Sequence, residues 1–313
     1  MFVNYWFFHI FLYFYKKTTD MLLSYPMPLS TGFAGYFANV GDMRNTGVEM
    51  ELTVSPIKTK DLRWDITWMG STVSNKVLKL TNESPEIING VRVIKEGYPL
   101  NTFYMSKSAG VDPSTGAQLY WAYKKDDNGD MIPGSEYITS DYSTAVNCKY
   151  YQGSRIPDLY GSIATNLSWK GLDFSMLTTY SIGGKIYDSL YRGTMEVDYA
   201  TDTWNTNALR RWQKPGDITD VPRIEIGQSY AANDRYLIDA SYFAIKNITL
   251  GYTLPRNIIS KAGLSNVRVF TSVDNLALWT HLDGMDPQYS FSGSTDYVYS
   301  PNKTWSFGLE VKF

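Results

Sequence analysis

Apolar residues recur at every second position in one segment after another of this chain, and no other feature limits its fold as tightly. Val48, Met50, Leu52 and Val54 share one side of a strand, while Glu49, Glu51, Thr53 and Ser55 share the other. Leu62, Trp64, Ile66 and Trp68 oppose Arg63, Asp65 and Thr67. Leu159, Gly161, Ile163, Thr165, Leu167 and Trp169 oppose Tyr160, Ser162, Asn166 and Ser168. Leu172, Phe174, Met176 and Tyr180 oppose Asp173, Ser175 and Thr179; Val267, Val269 and Val273 oppose Asn266, Arg268, Ser272 and Asp274. The last segment sets Trp305, Phe307, Leu309, Val311 and Phe313 on one face. Weaker alternation marks 100–109, 117–123 and 242–252. No long amphipathic helix competes, so the chain reads as nearly all β.

The connections carry more information than the strands. They fall at 56–61, 71–99, 110–116, 124–157, 170, 181–241, 253–264 and 274–302, short and long in strict alternation. An up-and-down sheet with that order gathers its tight turns at one end and its long loops at the other, as outer-membrane barrels do. Soluble sandwiches mix their connections and use shorter strands. These strands approach the ~9–11 residues that cross a bilayer at a tilt. Trp169-Lys170-Gly171-Leu172 must reverse within about two residues, where Gly171 supplies the backbone freedom. Trp64, Trp169, Tyr180, Tyr252 and Trp305 stand near strand ends, where interfacial aromatic girdles sit.

Composition allows this reading and closes others. Aromatic residues make up 15% and charged residues 19% of the 313, with a mean hydropathy of −0.27. No stretch reaches the ~20 apolar residues of a membrane helix. A net charge of −2 lacks the basic excess of a nucleic-acid-binding surface. One cysteine, Cys148, and two histidines, His9 and His281, exclude an intrachain disulfide framework and a thiolate- or histidine-rich metal site. Residues 1–14 are an atypical start, a strand apolar on both faces or an artefact of truncation; a signal peptide would need a basic leader and a small-residue cleavage site.

Ordered motifs then give a resemblance. YKKTTDMLL (15–23), NTGVEMELTVSPIK (45–58), LRWDITWMGSTVSNKVLKL (62–80) and SAGVDPSTGAQLYW (108–121) come first. PDLYGSIATNLSWKGLDFSMLTTYSIGGKIYDS (157–189), KPGDITDVPR (214–223), RYLIDASYFAIKNITLGYTLP (235–255), LSNVRVFTSVDNLALWTHLDGMDPQ (264–288) and FGLEVKF (307–313) follow. Together, over 15–313, they resemble the C-terminal barrel part of the SusC/RagA family of TonB-linked outer-membrane proteins. The resemblance implies about ten antiparallel transmembrane strands of a larger, ~22-stranded barrel, with short periplasmic and long extracellular connections. It implies import of oligosaccharides or peptides with a SusD-like surface lipoprotein and the TonB complex, without cofactor or covalent chemistry. It also implies that Trp305, Phe307, Leu309, Val311 and Phe313 form the signature read by the outer-membrane assembly machinery. Signal peptide and plug have no counterpart in this sequence, so the resemblance predicts a barrel fragment, in the outer membrane, that does not transport alone.

Catalytic patterns are absent. Glu49 and Glu51 share a strand face but read as a polar row, and Asp126-Asp127-Asn128-Gly129-Asp130 lacks the glycine and glutamate of a calcium loop. Asn89-Gly90 reads as a two-residue hairpin turn, and Cys148 as an incidental exposed thiol. The long region 181–241 carries Tyr187, Tyr191, Tyr199, Trp204, Trp212 and Tyr230, residues suited to sugar rings, to a protein partner or to packing the loop on itself. Two alternatives remain at this stage: a soluble, secreted carbohydrate-binding or glycan-cleaving β protein, and a small self-contained porin-like or adhesin barrel. The second requires the first segment to pair with the last.

Overall fold

The computed structural model describes residues 7–27, 29–33, 35–39, 41–81, 85–196, 203–225, 227, 230–282, 284–289, 293–295 and 299–313. Eight long strands form one antiparallel sheet: β1 (Phe7–Thr18), β2 (Asp42–Lys58), β3 (Leu62–Lys79), β4 (Leu159–Trp169), β5 (Leu172–Ile182), β6 (Tyr242–Thr253), β7 (Asn266–Thr280) and β8 (Thr304–Lys312). Each pairs with its neighbour in chain order, which makes the sheet an up-and-down wall. Residues 59–61, Lys170-Gly171 and 254–265 turn at one end, and the long connections lie at the other. Lys170 and Gly171 both have positive φ, 47° and 90°, the signature of a two-residue type I′ turn.

The wall has eight strands where the sequence suggests about ten. The weak segments 100–109 and 117–123 become Thr102–Met105, Lys107–Val111 and Gln118–Ala122, short strands in two small sheets within the connection 80–158. Four or five residues are too few to span a bilayer, and Thr102, Phe103 and Met105 are all buried. Short and long connections still alternate. The Glu86–Asn89 and Arg92–Lys95 strands turn through Gly90-Val91, one position later than the Asn-Gly pair suggests.

Register aligns the alternating faces across the wall. One outward row runs Leu62, Trp169, Leu172, Tyr252, Val269 and Leu309. Another runs Val54, Ile66, Thr165, Met176, Ile248, Val273 and Trp305. Near the long-loop end the row is Met50, Gly70, Gly161, Tyr180, Phe243 and Trp279. Eight residues of β4 separate the first and third rows, about 26 Å along the strand at ~3.3 Å each. At the usual barrel tilt that is about 20 Å of membrane depth, close to the apolar band of such walls. Trp305, although at the start of β8, therefore lies at mid-depth and not in a girdle.

The inward face is polar and bonded across strands. Thr53 and Thr67 hydroxyls lie 2.9 Å apart, and the Ser55 hydroxyl donates to Asp65 at 2.6 Å. Asn247 donates to Ser272 and Asp274 at 2.9 and 2.7 Å, and Arg268 holds Asp173 through two nitrogens. Glu49 and Glu51 belong to this face, opposite Ser71 and Met69. β1 differs, with Ile10 and Leu12 set against those two glutamates, so it is apolar on both faces.

Phe11 is 63%, Trp169 50% and Phe307 81% exposed, and among the described residues no second layer covers the outward face. A soluble sandwich would bury that face against another sheet. Among the described residues β1 and β8 end the sheet and do not pair with each other, as a self-contained barrel would require. The molecule is an open section of a transmembrane barrel wall.

Candidate functional site at the long-loop end

The long connections build a cap with a core of its own. Residue 183 opens a connection in which Lys185–Tyr187 pairs with Leu237–Asp239. Helix α1 (Ser189–Met195) follows, its N-terminus capped by the Asp188 carboxylate, which accepts from Tyr191 N at 2.9 Å. Phe103 and Met105 from the connection 80–158 pack with Tyr187, Met195, Ala208, Val221 and Tyr236 of the connection 183–241. Tyr187 N donates to Gly293 O at 2.8 Å, so the last connection is tied in as well. Arg192 Nε meets Glu196 at 2.6 Å inside this cap. Burial pushes the Glu196 carboxyl up, and the Arg192 guanidinium opposes that shift.

The aromatic residues expected to meet a ligand or partner fall into two groups. Tyr187 is 3% exposed in the cap core, and burial pushes its phenol up to about 12. Tyr191 packs edge-on against Tyr236, with centroids 5.8 Å apart, and accepts from Asn207 Nδ2 at 3.0 Å. Trp204 lies half-buried against the same core. Trp212 and Tyr230 lie elsewhere. Trp212 Nε1 donates to the Pro113 carbonyl at 2.9 Å, and the Tyr230 hydroxyl donates to Arg223 O at 3.1 Å. Burial, then the Glu196 charge, pushes the Tyr230 phenol up to about 12. Tyr199 lies outside the described residues. Each of the five described residues thus has contacts within the cap.

Gly116 explains how Trp212 reaches that position. Its φ is +73°, and a Cβ there would lie 2.5 Å from the indole. The Asp112-Pro113-Ser114-Thr115-Gly116 turn is held by Asp112, which accepts from the Thr115 and Ser114 hydroxyls at 2.6 and 2.7 Å. Those bonds lower the Asp112 carboxyl to about 2. Cys148 is buried, not exposed as the sequence suggested, because it packs with Ala122 and Tyr123. Asp126 folds its own turn, accepting from the Asn128 and Asp130 amides at 2.9 Å each. Among the described residues no group of three or more His, Cys, Asp or Glu is placed to hold a metal.

A second aromatic assembly was not visible in the sequence. Tyr98, Tyr151 and Tyr104 stack in series, with centroids 4.4 and 4.7 Å apart. Lys95 Nζ lies 5.3 Å from the Tyr151 ring and Lys149 Nζ 5.8 Å from Tyr104. Lys107 stands 5.6 Å from both Trp121 and Tyr150. Partly exposed rings edged by ammonium groups suit apolar sugar faces, peptide groups and anions. The tyrosine doublet at 150–151 is the one local signal for it, since the partners meet only through Thr102–Met105.

Fold and cap define the class: a section of transmembrane barrel wall carrying a structured loop cap. No family model matches the chain. TonB-dependent receptor P3 of Formosa agariphila is 28% identical over 333 residues, covering 96% of this chain and 32% of that protein. TonB-dependent receptor SusC of Bacteroides thetaiotaomicron is 25% identical over 318 residues, covering 96% and 29%. The solved RagAB peptide transporter superposes with a TM-score of 0.85 at 27% identity, over 99% of this chain and 34% of that one. Its open-open state gives 0.82 at 25% identity. The resemblance to the barrel part of the SusC/RagA TonB-linked proteins therefore extends over nearly the whole chain, which spans about a third of the length of these relatives.

Proposed function

We propose that the chain supplies wall strands and outer loops to a TonB-dependent outer-membrane importer of oligosaccharides or peptides, working with a SusD-like surface lipoprotein. The observation that carries this reading is the uncovered apolar face, continuous over eight strands, with the described cap residues at one end. Such a face is stable against lipid and costly in water. The likeness to the RagAB peptide transporter over 99% of the chain supports it and keeps peptides beside oligosaccharides as candidate cargo. In this reading the long-loop end is extracellular, and the cap meets cargo and lipoprotein through Tyr191, Trp204, Trp212, Tyr230 or the stacked tyrosines. Tyr187 supports them from within, and Tyr199 joins them by sequence alone. The outward face of β8, with Trp305, Phe307, Leu309 and Val311 ahead of Phe313, serves as the assembly signal. No step makes or breaks a covalent bond.

The test is uptake of labelled oligosaccharides and labelled peptides by cells with and without the protein, alongside affinity purification from their outer membranes. Loss of one cargo class and recovery of a surface lipoprotein are expected. Unchanged uptake of both classes, with no lipoprotein recovered, would contradict the proposal. Tyr104→Ala and Trp212→Ala then separate cargo contact, read as lost uptake with the lipoprotein retained, from partner contact, read as lost co-purification.

A further inference from the structure

The outward face is not uniformly flat. At its long-loop end lies a shallow hollow of about 650 Å³, lined by Trp68, Ile163, Tyr180, Ile182, Phe243 and Trp279. Beneath two of these side chains β3 and β4 pair glycine with glycine, Gly70 opposite Gly161. Tyr180 reaches across them, and its hydroxyl donates to the Met69 carbonyl at 2.9 Å. A Cβ on Gly161 would stand 2.8 Å from that hydroxyl, and one on Gly70 would stand 2.5 Å from the Trp68 ring. Two missing side chains thus let two aromatic rings lie down on the wall. Phe243 and Trp279, with centroids 5.8 Å apart, stand at the other side of the hollow.

Apart from the Tyr180 hydroxyl, which is bonded to Met69, the described polar groups gather at the upper rim. Ser181, Ser241, Thr280 and His281 lie there, and His281 Nε2 is 3.7 Å from the Asp239 carboxylate. Below the rim the lining is largely apolar and continues into the outward row of Ile66, Thr165, Met176 and Ile248, where the Thr165 hydroxyl accepts from Trp64. An apolar hollow with a polar lip, continuous with a lipid-facing surface, has the profile of a single lipid. Its chain lies along the wall and its head stays at the lip.

We propose that this hollow is a specific seat for one acyl chain of a membrane lipid in the leaflet on the long-loop side. The proposal rests on the transmembrane reading of the wall. Ordinary boundary lipid exchanges over a surface without preference; here four aromatic side chains, two of them laid over the glycine pair, give one chain more contact than its neighbours obtain. Trp279 reports on the hollow, and Trp169, in the girdle at the opposite end, reports on bulk lipid.

The experiment folds the full chain into phosphatidylcholine vesicles containing a rising fraction of lipid brominated at mid-chain, which quenches tryptophan on contact. Difference spectra against Trp279→Phe and Trp169→Phe isolate the two reporters. Trp279 is expected to be half-quenched at a bromolipid fraction about fivefold lower than Trp169, equivalent to ~1 kcal/mol of preference. Ile163→Trp, which fills the hollow, and Phe243→Ser, which removes a wall, should each bring the Trp279 curve onto that of Trp169. Equal curves in the parent chain, with both residues quenched, would overturn the seat and leave the membrane wall standing. Quenching of Trp169 without Trp279 would overturn the seat alone, and absence of quenching at both residues would overturn seat and wall together.

Discussion

The outward face of the wall and the core of the cap are built from the same residues in opposite surroundings. Phe307 on β8 is 81% exposed, whereas Phe103 in the cap is fully buried. Trp169 and Tyr252 lie bare on the wall, while Tyr187 and Tyr236 pack against Met195 and Met105. Every cluster of buried apolar residues lies in the long-connection region or at its junction with the strands. The difference teaches where each part meets its solvent. The cap buries apolar surface as a water-soluble domain does, and the wall displays it because hydrocarbon is its environment.

Substitutions should therefore act differently in the two regions. Phe103→Ala removes a fully buried ring from the cap and should destabilise it by about 3–5 kcal/mol, read as faster amide exchange over 183–241 while β3–β6 stay protected. Equal loss of protection in the wall would show that the two regions fold as one. Ile248→Arg places a charge at mid-depth on the outward face and should cost ~2–4 kcal/mol in a bilayer. Its neighbour Thr249→Arg, on the inward face, should cost little, and denaturant titration in vesicles compares them. Similar costs for the two would mean that the faces are not distinguished.

Gly116→Ala forces a side chain into the Trp212 ring at positive φ and should cost about 1–3 kcal/mol, seen as a red-shifted Trp212 emission. The smallest effect is the acid response of the same turn. Asp112 is held below its ordinary value, so its bonds to Ser114 and Thr115 stabilise the turn fully above about pH 3.8. That contribution fades as the pH falls toward about 2. Trp212 fluorescence should follow it, and Asp112→Asn should abolish the acid transition in that window.

Most of the wall was legible because β2 to β5, β7 and β8 keep their alternation over the membrane depth. β6 reads weakly for a physical reason: a bulge at Lys246 lets Ile245 and Ile248 share the outward face, which breaks the period of two. The alternation marks neither the start of β2 nor the end of β3, since Arg44, Asn45, Ser74, Asn75 and Lys76 are polar on both sides, as strands beyond the bilayer are. The cap was the least legible. Phe103, Tyr187 and Tyr236 are far apart in the chain, and nothing local announces that they share one core. Tyrosine and tryptophan types in 181–241 do not by themselves separate Tyr187, a core residue, from Trp212, which braces a turn.

Spin-label accessibility along β6 in lipid vesicles tests the account most directly. Cys148 is buried, so labels go to introduced cysteines. Labels at Phe243, Ile245, Ile248, Leu250 and Tyr252 should be reached by oxygen from the lipid. Labels at Ala244, Asn247, Thr249 and Gly251 should be reached by an aqueous nickel chelate, with the change of phase at Lys246. Uniform access to the chelate, or an unbroken alternation through Lys246, would contradict it.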